Sequence, residues 1–332
     1  VGLAHQVQID AAGDFAALGD RPHHQRLATG GITGDFASVT DNVISPFITL
    51  SNASAAGGGV QENGDYDLVV VRSAYNTVAL NANQTAVANG LQALVADSSA
   101  AGTVVKIDNM TAAQAQALFN TVSPEAYGAY AGALQEQGNL FTRQVASRLA
   151  TVDVTEKTGL WANGYGQWAK GKERDFRFGS DQDIYGFAMG VDFGVNGVKL
   201  GLAGGYSEDT VKYRQGNSRG KSKSWQVGGY AAYAAGPLKL DAQVAYISGD
   251  IDATKAVNAG AGVTLITGTA AAHTKGHLFK GIATVGYELG LNNIKLKPYV
   301  GVDVAAGHVN GFTESGMVVL DLTVAQINAD RT

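Results

Sequence analysis

The stretch Tyr185-Gly-Phe-Ala-Met-Gly-Val-Asp-Phe-Gly-Val-Asn196 decides the fold. Read with period two, one face is Tyr185, Phe187, Met189, Val191, Phe193 and Val195. The other is Gly186, Ala188, Gly190, Asp192, Gly194 and Asn196. Successive strand residues point to opposite faces, so this ribbon has one apolar side and one small, polar side. A strand of a soluble sandwich meets water with long charged residues. Glycine and alanine imply a crowded, wet interior instead, and the apolar side is then left to face lipid. The stretch reads as one wall of a transmembrane antiparallel up-and-down β-barrel.

The same alternation recurs on both sides of it. Strands are predicted over 160–169, 184–195, 198–207, 224–235, 238–247, 278–291, 294–305 and, with weaker alternation, 317–327. Asn196-Gly197, Gly236-Pro237 and Asn292-Asn293 are tight turns. Long polar links are predicted over 171–183, 208–223, 248–277 and 306–315. Short and long connections alternate, which puts the short turns at the periplasmic rim and the long loops outside. The inward face carries Lys199, Lys239, Asp241, Lys280, Glu288, Lys295, Lys297 and Asp303.

Upstream, residues 1–80 hold short β-like pieces separated by Gly, Asn, Asp and Ser with no clean internal period, a β-rich region that suits the last coils of a β-helix-like solenoid or a small sandwich. From 81 to 157 the pattern is helical. Val87, Leu91, Leu94 and Val95 form one stripe, and Thr111-Ala-Ala-Gln114 has the form of a capping box. Ser123-Pro124-Glu125 opens a helix predicted over 123–150, slim in its first half through Gly128, Ala129, Ala131, Gly132 and Ala133. Its length, about 42 Å at 1.5 Å per residue, exceeds the ~25 Å apolar band of an outer-membrane barrel. If residues 1–120 lie outside the cell, this helix must bring the chain back through the pore. On the helix, Glu125, Glu136, Arg143 and Arg148 are then expected to meet the inward charges of the sheet, because buried charges need partners.

Composition agrees with a barrel and argues against a charge-coated soluble enzyme. Charged residues are 16%, Gly is 44 of 332, and mean hydropathy is near zero. Residues 1–156 carry 6 Lys/Arg against 14 Asp/Glu, and residues 157–332 carry 18 against 15, so a charge boundary coincides with the predicted start of the barrel over 158–332. No run reaches the ~18 apolar residues of a transmembrane helix, and Val1-Gly-Leu-Ala-His5 is not a signal peptide. With no cysteine, neither a disulfide nor a cysteine–metal site is possible.

No catalytic constellation stands out. The pairs His23-His24 and His273/His277 lack a carboxylate at ligand spacing and read as solvated loop residues. Glycine runs such as Gly201-Leu-Ala-Gly204-Gly205 follow strand periodicity and open no helix, so they do not cradle phosphate. No enzyme activity, cofactor, metal or nucleic-acid partner is expected. Two basic outer loops, with Lys170, Lys172, Arg174 and Arg177, then Lys212, Arg214, Arg219, Lys221 and Lys223, read either as contacts to lipopolysaccharide phosphates or as ordinary solvated loops.

The sequence resembles the autotransporter family, the type V secretion proteins of Gram-negative bacteria. The resemblance rests on Asn83-Gln84-Thr-Ala-Val-Ala with Leu91, on Leu118-Phe-Asn-Thr-Val-Ser-Pro-Glu-Ala-Tyr127, on Gly159-Leu-Trp-Ala-Asn-Gly-Tyr-Gly-Gln-Trp168 and on Gly311-Phe312-Thr-Glu314. It covers roughly residues 65–332. It implies a twelve-stranded outer-membrane barrel threaded by a helix, which exports and anchors its own N-terminal passenger at the cell surface. The barrel assembly machinery and periplasmic chaperones are the partners it implies, besides outer-membrane lipid. Eight strands can be counted and Arg331-Thr332 is not a terminal aromatic, so the expectation is a C-terminally truncated barrel. Some members cut their linker at an asparagine inside the pore. Asn139, followed by Leu140, occupies the matching region, without the paired asparagines of the self-cutting group. The alternatives from the residues alone are a porin-like diffusion channel and a surface adhesin whose barrel is only an anchor.

Overall fold

The computed structural model describes residues 23–28, 45–51, 58–61, 66–151, 157–173, 178–214, 218–291 and 294–330. The chain divides into two compact units. One comprises Val1–Ser123, Ala256–Gly268 and Val318–Leu320, the other Pro124–Lys255, Thr269–Met317 and Asp321–Thr332.

Among the described residues, the first unit contains a small antiparallel sheet and three α-helices. Strands β1 (His23–Ala28), β2 (Ile48–Ser51) and β3 (Gly59–Val60) all pair with β4 (Tyr66–Arg72). Helices α1 (Ala82–Gln92), α2 (Ala101–Asp108) and α3 (Ala112–Val122) follow. Asn81 caps α1 by accepting from the Gln84 amide at 2.9 Å. Thr111 and Gln114 form both bonds of the predicted capping box, at 3.3 and 2.9 Å. The Gln84 side chain is buried and donates to Asn120 at 3.0 Å, tying α1 to α3. Asp108 is fully buried at the end of α2. It accepts from Arg72 at 2.5 Å and from the Tyr75 hydroxyl at 2.7 Å. Burial nevertheless pushes its carboxyl above the usual carboxylate range, against both hydrogen bonds.

The second unit is built on helix α4 (Glu125–Thr151) and a long antiparallel sheet. The main strands of that sheet are β5 (Thr158–Gly171), β6 (Ser180–Val195), β7 (Val198–Tyr213), β8 (Ser218–Ala235), β9 (Leu238–Ala259) and β10 (Ile266–Tyr287), of which 256–259 and 266–268 are counted with the first unit. Short β11 (Leu289–Leu291) and β12 (Ile294–Leu296) pair with each other. After them come β13 (Tyr299–Val309), β14 (Phe312–Thr313), β15 (Thr323–Val324) and β16 (Ile327–Asn328). The eight-stranded sheet runs in the order β16-β13-β10-β9-β8-β7-β6-β5, each main strand beside its sequence neighbour. At Asn196-Gly197 both residues take positive φ, 51° and 80°, as the predicted two-residue hairpin turn requires. Among the described residues no helix is long and apolar enough to cross a membrane, which says nothing of strands.

The faces of the sheet are arranged as in an inverted protein. Tyr185, Phe187, Met189, Phe193 and Val195 are exposed, whereas Ala188 and Asp192 between them are fully buried. Ten steps of about 3.4 Å at the 35–45° strand tilt of such barrels give a height of roughly 26 Å for 185–195, the thickness of the lipid-facing band.

Three sequence expectations are corrected. The long polar links over 208–223 and 248–277 are mostly strand: β7 and β8 leave only 214–217 between them, and β9 and β10 only 260–265. The period of two persists there, but the apolar residues change sides. Along β9 the outward face passes from Leu240, Val244 and Tyr246 to Asp250, Asp252 and Thr254, while the inward face passes from Lys239 and Asp241 to Ile251, Ala253 and Val257. Second, the strand predicted over 294–305 is broken at Lys297-Pro298, because proline cannot donate to the ladder. Third, 317–327 is not one strand. Gly316 and Val318 take φ of 114° and 56°, a 3-10 turn occupies Val318–Leu320, and only β15 and β16 are extended. The Asn292-Asn293 turn lies outside the described residues.

Candidate functional site: the helix held in the sheet

Helix α4 is 27 residues long, against a prediction over 123–150, and it lies on the inward face of the sheet. Tyr127, Tyr130, Leu134, Phe141, Val145 and Leu149 form one core with Ala188, Ala203, Tyr230, Ala232, Ala245, Ile247 and Leu278. Glycines of the strands form the sockets. A Cβ on Gly220 would overlap the Tyr130 ring, and one on Gly205 would meet Phe141 at 3.0 Å and its own sheet at 2.8 Å. At Gly205, Gly220 and Gly228 aromatic side chains of the helix take the space a side chain would fill, and at Gly186, Gly190 and Gly201 it is taken by Tyr165, Trp161 and Tyr230 of the sheet itself. A bulky residue at Gly220 is expected to overpack the site by about 1–3 kcal/mol. Gly220→Val should lower the unfolding midpoint, and adding Tyr130→Ala should restore much of it. Additive effects in that double-mutant cycle would contradict the contact.

The C-terminal end of the helix is fixed by charge. Arg148 binds Asp192 through two nitrogens, Nε at 2.8 Å and Nη2 at 3.0 Å. Lys199 Nζ reaches the same carboxylate at 3.1 Å, and the Tyr230 hydroxyl donates to it at 3.0 Å. Trp161 Nε1 in turn donates to Tyr230 at 2.7 Å. Asp192 and Lys199 are fully buried, so this cluster sits away from water next to the Asn196-Gly197 turn.

The N-terminal end is fixed by a second cluster near the tall hairpins. The Tyr127 hydroxyl donates to Glu314 Oε1 in a short bond, and Lys255 Nζ lies 2.6 Å from the same oxygen. The other carboxylate oxygen accepts from the Leu322 amide at 2.9 Å. Lys255 stands 5.7 Å over the Tyr127 ring, which meets Phe312 edge-on at 4.9 Å. Glu125 accepts from the Phe178 amide at 2.6 Å, and Tyr213 donates to the Ala126 carbonyl at 3.2 Å. The helix thus runs from the hairpin end of the sheet to the short-turn end.

The predicted inward charges behave differently from the expectation. Lys280 pairs with Asp303 at 2.5 Å within the sheet and Lys297, at the break before β13, with Asp241 of β9 at 3.3 Å, while Glu136 accepts from Asn139 at 3.0 Å within the helix. Arg148 does bind the sheet, but through Asp192, and Lys199 joins it there. Sequence reasoning put Asp192 on the small face without giving it a partner. Its one signal was a lone acid among glycines. Asn139, Thr142 and Arg143 line a cavity of about 700 Å³ together with Asp241, Lys280, Lys297 and Asp303. The Asn139 carbonyl also accepts from Thr142 Oγ1 at 3.2 Å.

Of the histidines, His273 contacts Asp252 at 2.8 Å and His277 contacts the Tyr246 hydroxyl at 2.7 Å. The carboxylate beside His273 comes from the neighbouring strand, which spacing in the sequence does not reveal. Among the described residues no three His, Asp or Glu side chains converge to hold a metal. Arg174 and Arg177 lie outside the described residues.

These features match known proteins. The translocator domain of autotransporter NalP from Neisseria meningitidis superposes with a TM-score of 0.50 at 15% identity, over 60% of this chain, and shares its fold. The chain spans 66% of the length of that structure. No curated protein sequence matches it significantly. The family model described as the autotransporter beta-domain matches residues 160–332, more than half of the chain. With an antiparallel sheet apolar on its outward face and a long helix fixed along its inward face, the chain belongs to the autotransporter β-domain family.

Proposed function

We propose that the chain is an outer-membrane translocator that inserts as a β-barrel, supports export of its own N-terminal passenger and anchors it at the cell surface. Residues 1–80 are the end of that passenger, 81–157 the helical linker with α4 as its pore helix, and 158–332 the barrel. One observation carries the reading: a single sheet has a bare apolar outward face and an inward face filled by a helix held at both ends. A simple diffusion channel has no use for such a filling. The outer-membrane lipid, the barrel assembly machinery, periplasmic chaperones and the passenger itself are its partners. The barrel is a conduit and not an enzyme.

Protease added to intact cells making the full-length protein tests this. The segment before Pro124 is expected to be digested while 124–332 is protected, and disrupting the outer membrane should expose the short turns at Asn196-Gly197 and Gly236-Pro237. A pre-Pro124 segment digested only after disruption would reverse the orientation and sink the export reading.

Asn139 is proposed as a lumen-lining polar residue that leaves the chain intact. Its amide is turned towards Glu136 and its backbone is helical. Mass spectrometry of the full-length protein should find no cut between Asn139 and Leu140. A cut there that Asn139→Ala abolishes is the opposite result.

A further inference from the structure

We infer that the outward face of the β7–β8 hairpin binds the phosphorylated headgroup of a lipid in the outer leaflet, an inference that rests on the membrane-spanning reading above. Arg219, Lys221 and Lys223 alternate along β8 and so share one face, about 6.8 Å apart. Lys212 is the cross-strand partner of Arg219, and Lys170 lies one strand further, beyond Asp181.

Of the acids around them, Glu208, Asp181, Asp250 and Asp252 are already engaged. Glu208 holds Lys221 at 2.8 Å and accepts from the hydroxyls of Tyr185 and Tyr206 at 2.8 and 2.9 Å. Asp181 holds Arg214 at 2.7 Å, Asp250 is 3.5 Å from Lys275, and Asp252 bonds His273. Asp183 stands opposite Thr210. Among the described residues, Lys170, Lys212, Arg219 and Lys223 form no ion pair.

What lies beneath the cations selects a lipid over a soluble anion. Two residues below Lys223 on the same face is Trp225, 67% exposed and packed on Tyr206 with ring centroids 4.9 Å apart. Phe187, Leu202 and Val227 continue the apolar surface downwards. A cation cluster directly above an aromatic row matches a phosphate carried on acyl chains, and each cation near such an anionic surface contributes about fivefold in affinity.

The test uses the full-length protein in phosphatidylcholine nanodiscs, with insertion verified by heat-modifiable gel mobility. The probes are diphosphorylated lipid A and its dephosphorylated form. The wild type should prefer the diphosphorylated lipid at least tenfold. The exposed triple variant Lys212→Gln/Arg219→Gln/Lys223→Gln should lose that preference, while Lys106→Gln/Lys157→Gln/Lys239→Gln, with the same charge change elsewhere, should keep it. An inserted protein with no preference, or a preference the first variant keeps, overturns this inference alone. A chain that never inserts overturns the translocator reading and this inference with it.

Discussion

Asp192→Ala should be the most damaging single substitution in the barrel, lowering stability by about 3–5 kcal/mol. Arg148 and Lys199 direct their charge at this carboxylate, and Lys199 is wholly buried. Removing the anion takes away the carboxylate that both cations share, and with it the charge that offsets the burial of Lys199. Trp161 is linked to Asp192 through Tyr230, so its fluorescence should report the change directly in a urea titration of the micelle-folded full-length protein. Asp192→Leu combined with Arg148→Met and Lys199→Met should recover most of the loss, because an apolar replacement of a whole buried ionic cluster is often neutral. A shift below about 1 kcal/mol for Asp192→Ala would mean that water reaches the cluster and screens it.

Glu314→Ala should have a comparable effect at the other end, again about 3–5 kcal/mol. It removes the carboxylate 2.6 Å from Lys255, which is 2% exposed, together with the acceptors of the Tyr127 hydroxyl and the Leu322 amide. The two substitutions should differ in what they release. Loss of Glu314 frees the first turn of α4 and the segment around β14 and β15, so amide exchange should quicken at Tyr127, Phe312 and Leu322 while the Arg148 end stays protected. Loss of Asp192 should give the reverse pattern. Uniform exchange in both variants would show that the helix leaves as one unit, with no separate ends. Glu314→Gln keeps an acceptor for Tyr127 but not the charge, and should fall between wild type and alanine.

The sequence was most informative where one face had to be apolar over a whole strand. The Tyr185 to Val195 alternation and the Asn196-Gly197 turn leave one solution each, since a shift by one residue would turn Phe187 and Phe193 inward. The capping box at Thr111 was legible for the same reason, because its bonds are local. Strand length was not legible. Above Tyr246 the residues Asp250, Asp252 and Thr254 look like loop when apolar is assumed to mean outward, yet they keep the pleat with Ile251 and Ala253 on the inner side. The end of the chain misled for a different reason: Val318, Val319 and Leu320 suit a strand by propensity, but Gly316 and Val318 adopt turn conformations. The two clusters that hold α4 were the least legible. Arg148 and Asp192 are 44 positions apart, and Tyr127 and Glu314 are 187 apart. No local pattern announces such pairs. The inward charges instead found closer partners, Lys280 with Asp303 across one strand pair.

The exchange of polarity between the two faces of β9 also acts as a depth gauge. A vertical slip of two residues, about 6.8 Å along the strand, would draw Glu208 and Asp250 towards hydrocarbon on the outside and give no inward gain. Charge drawn into the lipid-facing band costs more with depth, roughly 2–4 kcal/mol for Lys or Arg at the midplane and less for Asp or Glu, so the barrel has one favoured height and resists bilayers that do not match it. Folding yield should therefore peak sharply with acyl-chain length in a series of phosphatidylcholine vesicles. The position of that peak would measure, in lipid carbons, the distance between the Asn196-Gly197 turn and the row of Tyr185, Tyr206, Trp225 and Tyr246.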